Sequence, residues 1–165
     1  MKAKKILMII FGVIALAINV YIMVEAFTGV EESAKTSMGV SEAIIKFVED
    51  INPSSHIGDD PKKVHDVVRK LFGHFLLFGA SGLFTGLTLV MLDDVMVDKK
   101  VEVTLAGLSL GLVVSIFSEI AQIITPGRYG LFTDVLIDFL GFSVFFEIVF
   151  LITYLIYRKK KGKKE

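Results

Sequence analysis

The sequence predicts an all-α integral membrane protein, a four-transmembrane-helix bundle whose outward 28–70 segment contains one or two amphipathic helical pieces. Three observations predict it. Apolar residues make up 53% of the chain and the mean hydropathy is +0.68, too high for an ordinary soluble domain. Four long apolar runs are separated by charged stretches. Lys and Arg gather at both ends of a chain whose formal net charge is zero. At 165 residues the length suits a single membrane domain. There are no cysteines, which excludes disulfides, zinc–thiolate sites and a cysteine nucleophile. There is no Trp, so any interfacial aromatic belt must come from Tyr and Phe.

The first span is 6–24, apolar except for Asn19, and its length just crosses a bilayer core of about 30 Å. Lys2, Lys4 and Lys5 precede it, and Val24-Glu25-Ala26 has the form of a signal cleavage site. Signal h-regions are shorter, about 7–15 residues, which favours a retained anchor. The polar segment 28–70 follows, with eight acids and six bases. Ser41 is placed to cap a short helix ending at Ile51, with Ile44, Ile45, Val48 and Ile51 on one face. The Pro, Ser and Gly content of 52–58 predicts a loop.

Asp60-Pro61 restarts a helix, with Asp as N-cap and Pro in the first position. The apolar face of Val64, Val67, Val68, Leu71, Phe72 and Phe75 carries that helix directly into the second span, 71–92. A charged turn covers 93–100, the third span is 101–124, Thr125–Gly130 turns again, and the fourth span is 131–157. The basic tail is 158–165. Gly82-x-x-x-Gly86 and Gly107-x-x-x-Gly111 allow close helix approach, and the short connection predicts an antiparallel pair of second and third spans.

Four spans put both termini on one side, and the positive-inside rule makes that side the cytoplasm of a multi-pass protein in the cell membrane. The 28–70 segment and the Thr125–Gly130 turn then face outward. Arg69 and Lys70 sit at the outer end of the second span, where cations are disfavoured, and this points to a specific partner. On that topology one depth collects Lys70 and His74, Glu119 and Gln122, Asp134 and Asp138, with Arg128 above them in the turn and Asn19 at similar depth. Lys70 and His74 are four apart and share an α-helical face. Two readings are open: a salt-bridge network that only holds helices together, or a water-accessible pocket. Glu147 lies on the opposite face of the fourth span from Asp138.

Several chemistries find no support. His65 and His74 are nine apart, face opposite ways and make no metal pair, so neither a metal nor a cofactor is expected. HExxH, P-loop, Rossmann and nucleophile-elbow patterns are absent. The terminal lysines fit topology and anionic lipids rather than nucleic acid.

Val68-Arg69-Lys70-Leu-Phe-Gly-His74-Phe75, followed by Glu119-x-x-Gln122-x-x-x-Pro126-Gly-Arg128 and then Asp134-x-x-x-Asp138-x-x-Gly141, resembles the VanZ-like family of small bacterial membrane proteins. The resemblance covers Val68 to Gly141. Phe78 stands where the family usually has Tyr, and Asp138 where it usually has Asn. The resemblance implies a bacterial cell-envelope protein associated with resistance to teicoplanin-type glycopeptides. One expectation is a pocket of Arg69, Lys70, His74, Glu119, Gln122, Arg128, Asp134 and Asp138. It would bind a membrane lipid, a lipid-linked cell-wall precursor or the antibiotic, with Lys70, His74 and Arg128 on the anion and the acids orienting them or binding an amine. The alternative is a membrane enzyme on a lipid-linked substrate, with His74 as acid/base. An ion pathway through Glu147 ranks last.

Overall fold

The second apolar helix is the one that packs against every other helix. In a computed structural model, which describes residues 2–52, 54–92, 95 and 99–161 and only the backbone of 30–36 and 161, the described chain is all-helical, without strands. We label the helices α1 (Lys2–Phe27), α2 (Val30–Ile51), α3 (Pro61–Leu89), α4 (Lys100–Ile124) and α5 (Phe132–Lys161). A single 3₁₀ turn, Ile57–Asp59, precedes α3. Four of these helices, α1, α3, α4 and α5, are long and apolar enough to cross a membrane. Most of the charged turn expected at 93–100, and the end of the basic tail at 162–165, lie outside the described residues.

α5 packs along both α3 and α4, and α1 packs along the same two helices. The core is a ladder of phenylalanines on α5. Phe142, Phe146 and Phe150 stack with centroids 5.8 and 4.8 Å apart, and Ile22, Phe78 and Val95 close around them. Lipid tails are as apolar as these rings, so the ladder stabilises the bundle mainly through close packing rather than transfer from water. Most of the remaining Leu, Ile and Val of α1, α4 and α5 are exposed, as expected of helices whose solvent is hydrocarbon.

The second and third spans do pack on each other, and a Cβ on Gly107 would lie 3.3 Å from Leu89 there, but the main neighbour of Gly82, Gly86, Gly107 and Gly111 is α5. A Cβ on Gly82 would run into the backbone carbonyl of Phe142, and one on Gly86 would lie 3.2 Å from Val149. On α4, Gly107 and Gly111 lie against the rings of Phe146 and Phe142. The physical reason is size: a helix carrying stacked Phe rings needs flat ridges on both neighbours, and glycine supplies them.

The polar segment also differs from expectation. α2 begins at Val30, so Ser41 is inside a helix and does not cap one. Its hydroxyl donates to the Ser37 carbonyl one turn back, 2.7 Å away, which satisfies a buried serine without breaking the helix. α2 packs on the first part of α3, with Ser37 Oγ 2.8 Å from His65 Nε2. Ile44, Ile45 and Val48 are half-buried, whereas Ile51 is exposed. α3 starts as its residues dictate: Asp60 accepts from the Lys63 amide at 3.2 Å and Pro61 holds the first position. Between α4 and α5, the Arg128 amide donates to the Thr125 carbonyl at 3.1 Å, with Gly127 at φ 79°, a backbone conformation that glycine adopts without strain.

Candidate functional site

The site begins with an irregularity in α3. From Arg69 to Leu76 the helix is π-helical, with hydrogen bonds to the fifth residue rather than the fourth. That wider turn puts residues five apart on one face. Arg69 therefore reaches His74, with Nη1 2.9 Å from Nε2. Lys70, which the α-helical spacing pairs with His74, turns away instead and binds Asp66 at 3.1 Å.

α5 supplies two carboxylates to the same place. Asp134 and Asp138 are one turn apart and fully buried. Asp134 Oδ2 accepts from Arg69 Nη2 at 3.0 Å, and Asp138 Oδ1 lies 2.9 Å from His74 Nδ1. The tautomer of His74 follows from its partners. Arginine has no acceptor, so Nε2 must accept from Arg69, and Nδ1 carries the hydrogen and donates to Asp138. Gly141, the next small residue on that face of α5, has no room for a Cβ because the Phe75 carbonyl of α3 lies there. This close approach sets the reach between Asp138 and His74.

α4 adds Glu119 and Gln122, both buried. Glu119 Oε1 accepts from the Gln122 amide at 2.7 Å, and Oε2 accepts from the Leu131 N–H at 2.9 Å. Glu119 thus fixes the start of α5, and its Oε1 is also 3.9 Å from His74 Nδ1. One ligand atom each from His74, Glu119 and Asp134 lie within 4.8 Å of one another.

Arg128 goes elsewhere. Its Nη1 donates to the carbonyls of Glu25 at 2.6 Å and Thr28 at 2.9 Å, capping the C-terminus of α1 with a cation where the helix dipole favours one. Burial lowers its pKa from the usual arginine value, and it remains charged. Thr125 reinforces the contact by donating to the Ala26 carbonyl at 3.1 Å. Asn19 does not join the acids: it accepts from Ser81 at 3.0 Å across the α1–α3 contact. Glu147 is exposed on the opposite face of α5.

These groups form two layers behind a cleft of about 400 Å³. Arg69, His74, Gln122 and Arg128 are among the polar residues that line it, and so is Glu25, whose position at the end of an apolar run was its only signal in the sequence. Ile22, Val40, Phe72, Leu77 and Phe78 add apolar lining. Asp134, Asp138 and Glu119 lie behind, each holding one of the lining polar groups in place. A separate open groove along α1 carries only Asn19 and Thr28 as polar side chains.

Fold and site together define an all-helical protein of the membrane-spanning kind with a buried polar centre between three of its long helices. The chain belongs to the VanZ/LLP1 family, whose model matches residues 9–157. That match takes in all four apolar helices, α1 included. No curated protein and no solved structure matches the chain.

Proposed function

We propose that the cleft holds the polar end of an envelope lipid or lipid-linked cell-wall precursor, and that the protein modulates resistance to teicoplanin-type glycopeptides through that binding. The observation that carries this reading is the mixed lining of the cleft. Arg69 and His74, each held by a buried carboxylate, line it together with the apolar side chains of Ile22, Phe72, Leu77 and Phe78. A guanidinium fixed by a carboxylate behind it presents its remaining donors forward, which suits a phosphate or carboxylate headgroup. The apolar side chains of the lining suit a hydrocarbon chain. The positive-inside rule, applied to the basic ends of the chain, opens this cleft to the outer face. Purified protein is expected to retain an anionic lipid by native mass spectrometry. Arg69→Gln loses that lipid and the resistance phenotype, while Lys70→Gln, whose side chain pairs with Asp66 away from the cleft, keeps both. Equal retention by the two variants would refute the reading.

One observation favours an enzyme as a second reading. The contact between His74 Nδ1 and Asp138 is the arrangement that orients a general base. Lipid profiles of cells with and without the protein would then differ by a species that follows His74; identical profiles would exclude it.

A further inference from the structure

Glu147 stands on the outer face of α5, where the fold offers a charge nothing. Acids in spanning helices turn inward, as Asp134 and Asp138 do, because hydrocarbon holds no partner for a carboxylate. Glu147 turns outward. It is exposed, and among the described residues neither an ion pair nor a hydrogen bond holds it. Leu136, Leu140, Val144, Leu151 and Leu155 lie three or four residues apart on the same face and are exposed with it. The carboxyl group therefore sits at the centre of an otherwise apolar stripe. Glu147 is 15 residues past the start of α5 and 11 before Arg158, about 22 Å and 16 Å along the helix axis. Its short side chain spans neither distance, so it does not snorkel to either membrane surface.

We infer that this face of α5 is a docking surface for a membrane-spanning helix of another protein that carries a Lys or Arg at the depth of Glu147. Charge complementarity makes the choice. A lipid tail has no donor to offer. A second copy of this chain has no cation at that depth. Residues 6–27 of α1, 75–89 of α3, 101–124 of α4 and 132–157 of α5 contain no Lys, Arg or His. Two copies joined through this face would set Glu147 against Glu147, and like charges repel strongly in a low-dielectric medium. A Lys or Arg on a foreign helix supplies both the opposite charge and N–H donors. The apolar residues around Glu147 supply the ridge that packs against it, and the single charged position fixes depth and register. Along the chain Glu147 is one more ionisable residue in an apolar run; only the fold shows that nothing in the described chain meets it. The surface lies on the side of α5 away from Asp138, so it does not depend on what the cleft binds.

The test reconstitutes the full chain in phosphatidylcholine vesicles with a synthetic transmembrane peptide of leucine and alanine that carries one central lysine. Energy transfer from labelled protein to labelled peptide reads the association. The lysine peptide is expected to associate about 5- to 30-fold more tightly than the same peptide with leucine or glutamate in that place. Glu147→Leu removes the preference, and Glu42→Gln, at an exposed acid on α2, keeps it. Equal association of the three peptides with the unaltered protein overturns the inference, whether or not the variants fold. Energy transfer between two labelled copies of the chain that Glu147→Leu abolishes, with no preference for the lysine peptide, also overturns it and gives the face to a second copy.

Discussion

Replacing Arg69 by alanine will destabilise this protein more than replacing Asp134 by asparagine, although both changes break the same 3.0 Å pair. The asymmetry follows from the surroundings of the two ends. The Asp134 side chain is fully buried, whereas that of Arg69 is 27% exposed. Arg69→Ala strands a carboxylate in the interior, with the Thr133 hydroxyl at 3.5 Å as a weak remaining donor, and also removes the donor on His74 Nε2. Breaking a buried pair in this way costs about 3–5 kcal/mol. Asp134→Asn leaves a guanidinium that keeps His74, reaches Asp66 and contacts water. Its cost is that of one charge-assisted hydrogen bond, about 1.5–3 kcal/mol. The double variant should cost less than the sum, with a coupling of about 1 kcal/mol or more, because the stranded charge is gone. The assay is reversible unfolding in mixed micelles, followed by helical circular dichroism, on all four members of the cycle. If Asp134→Asn is the more harmful change, or the two costs simply add, the buried charge is not what makes the pair matter.

Three further outcomes check the packing that holds the site. Phe146→Ala removes a fully buried ring stacked between Phe142 and Phe150 and should cost about 3–5 kcal/mol in the same unfolding assay. Gly82→Leu drives a side chain into the Phe142 carbonyl and should cost at least the roughly 1–3 kcal/mol of an overpacked core, with α3 pushed off α5 and Arg69 parted from Asp134, visible as lost lipid retention. Arg128→Ala removes two hydrogen bonds to the end of α1 and should speed amide exchange in the last turn of that helix while leaving the middle of α5 protected, at a cost of about 1–3 kcal/mol.

Much of the architecture was legible because it rests on local rules. Hydropathy located the four long apolar helices. The Asp60-Pro61 start of α3 was legible for the same kind of reason, since a cap acts within one turn. The residues of the family motif do converge in part: Arg69, His74, Glu119, Gln122, Asp134 and Asp138 lie together between α3, α4 and α5. Lys70 and Arg128 do not join them, and in each case the partner that decided it was invisible along the chain.

The linear order of residues settled which segments are apolar enough to lie in hydrocarbon and which ionisable residues occur near their ends, because both depend on composition over a single stretch of chain. Which side chains meet was settled only in three dimensions. The π-helical turn moved the partner of His74 from Lys70 to Arg69, since a change from four to five residues per hydrogen bond rotates the face by one position. The glycines of α3 and α4 went mainly to α5 rather than to each other, since its Phe ladder had the greater need of flat surfaces. Arg128 went to the end of α1, where free carbonyls and a helix dipole outbid the acids. These choices are competitions between contacts distant in sequence, and they are settled only when all the competitors are in place.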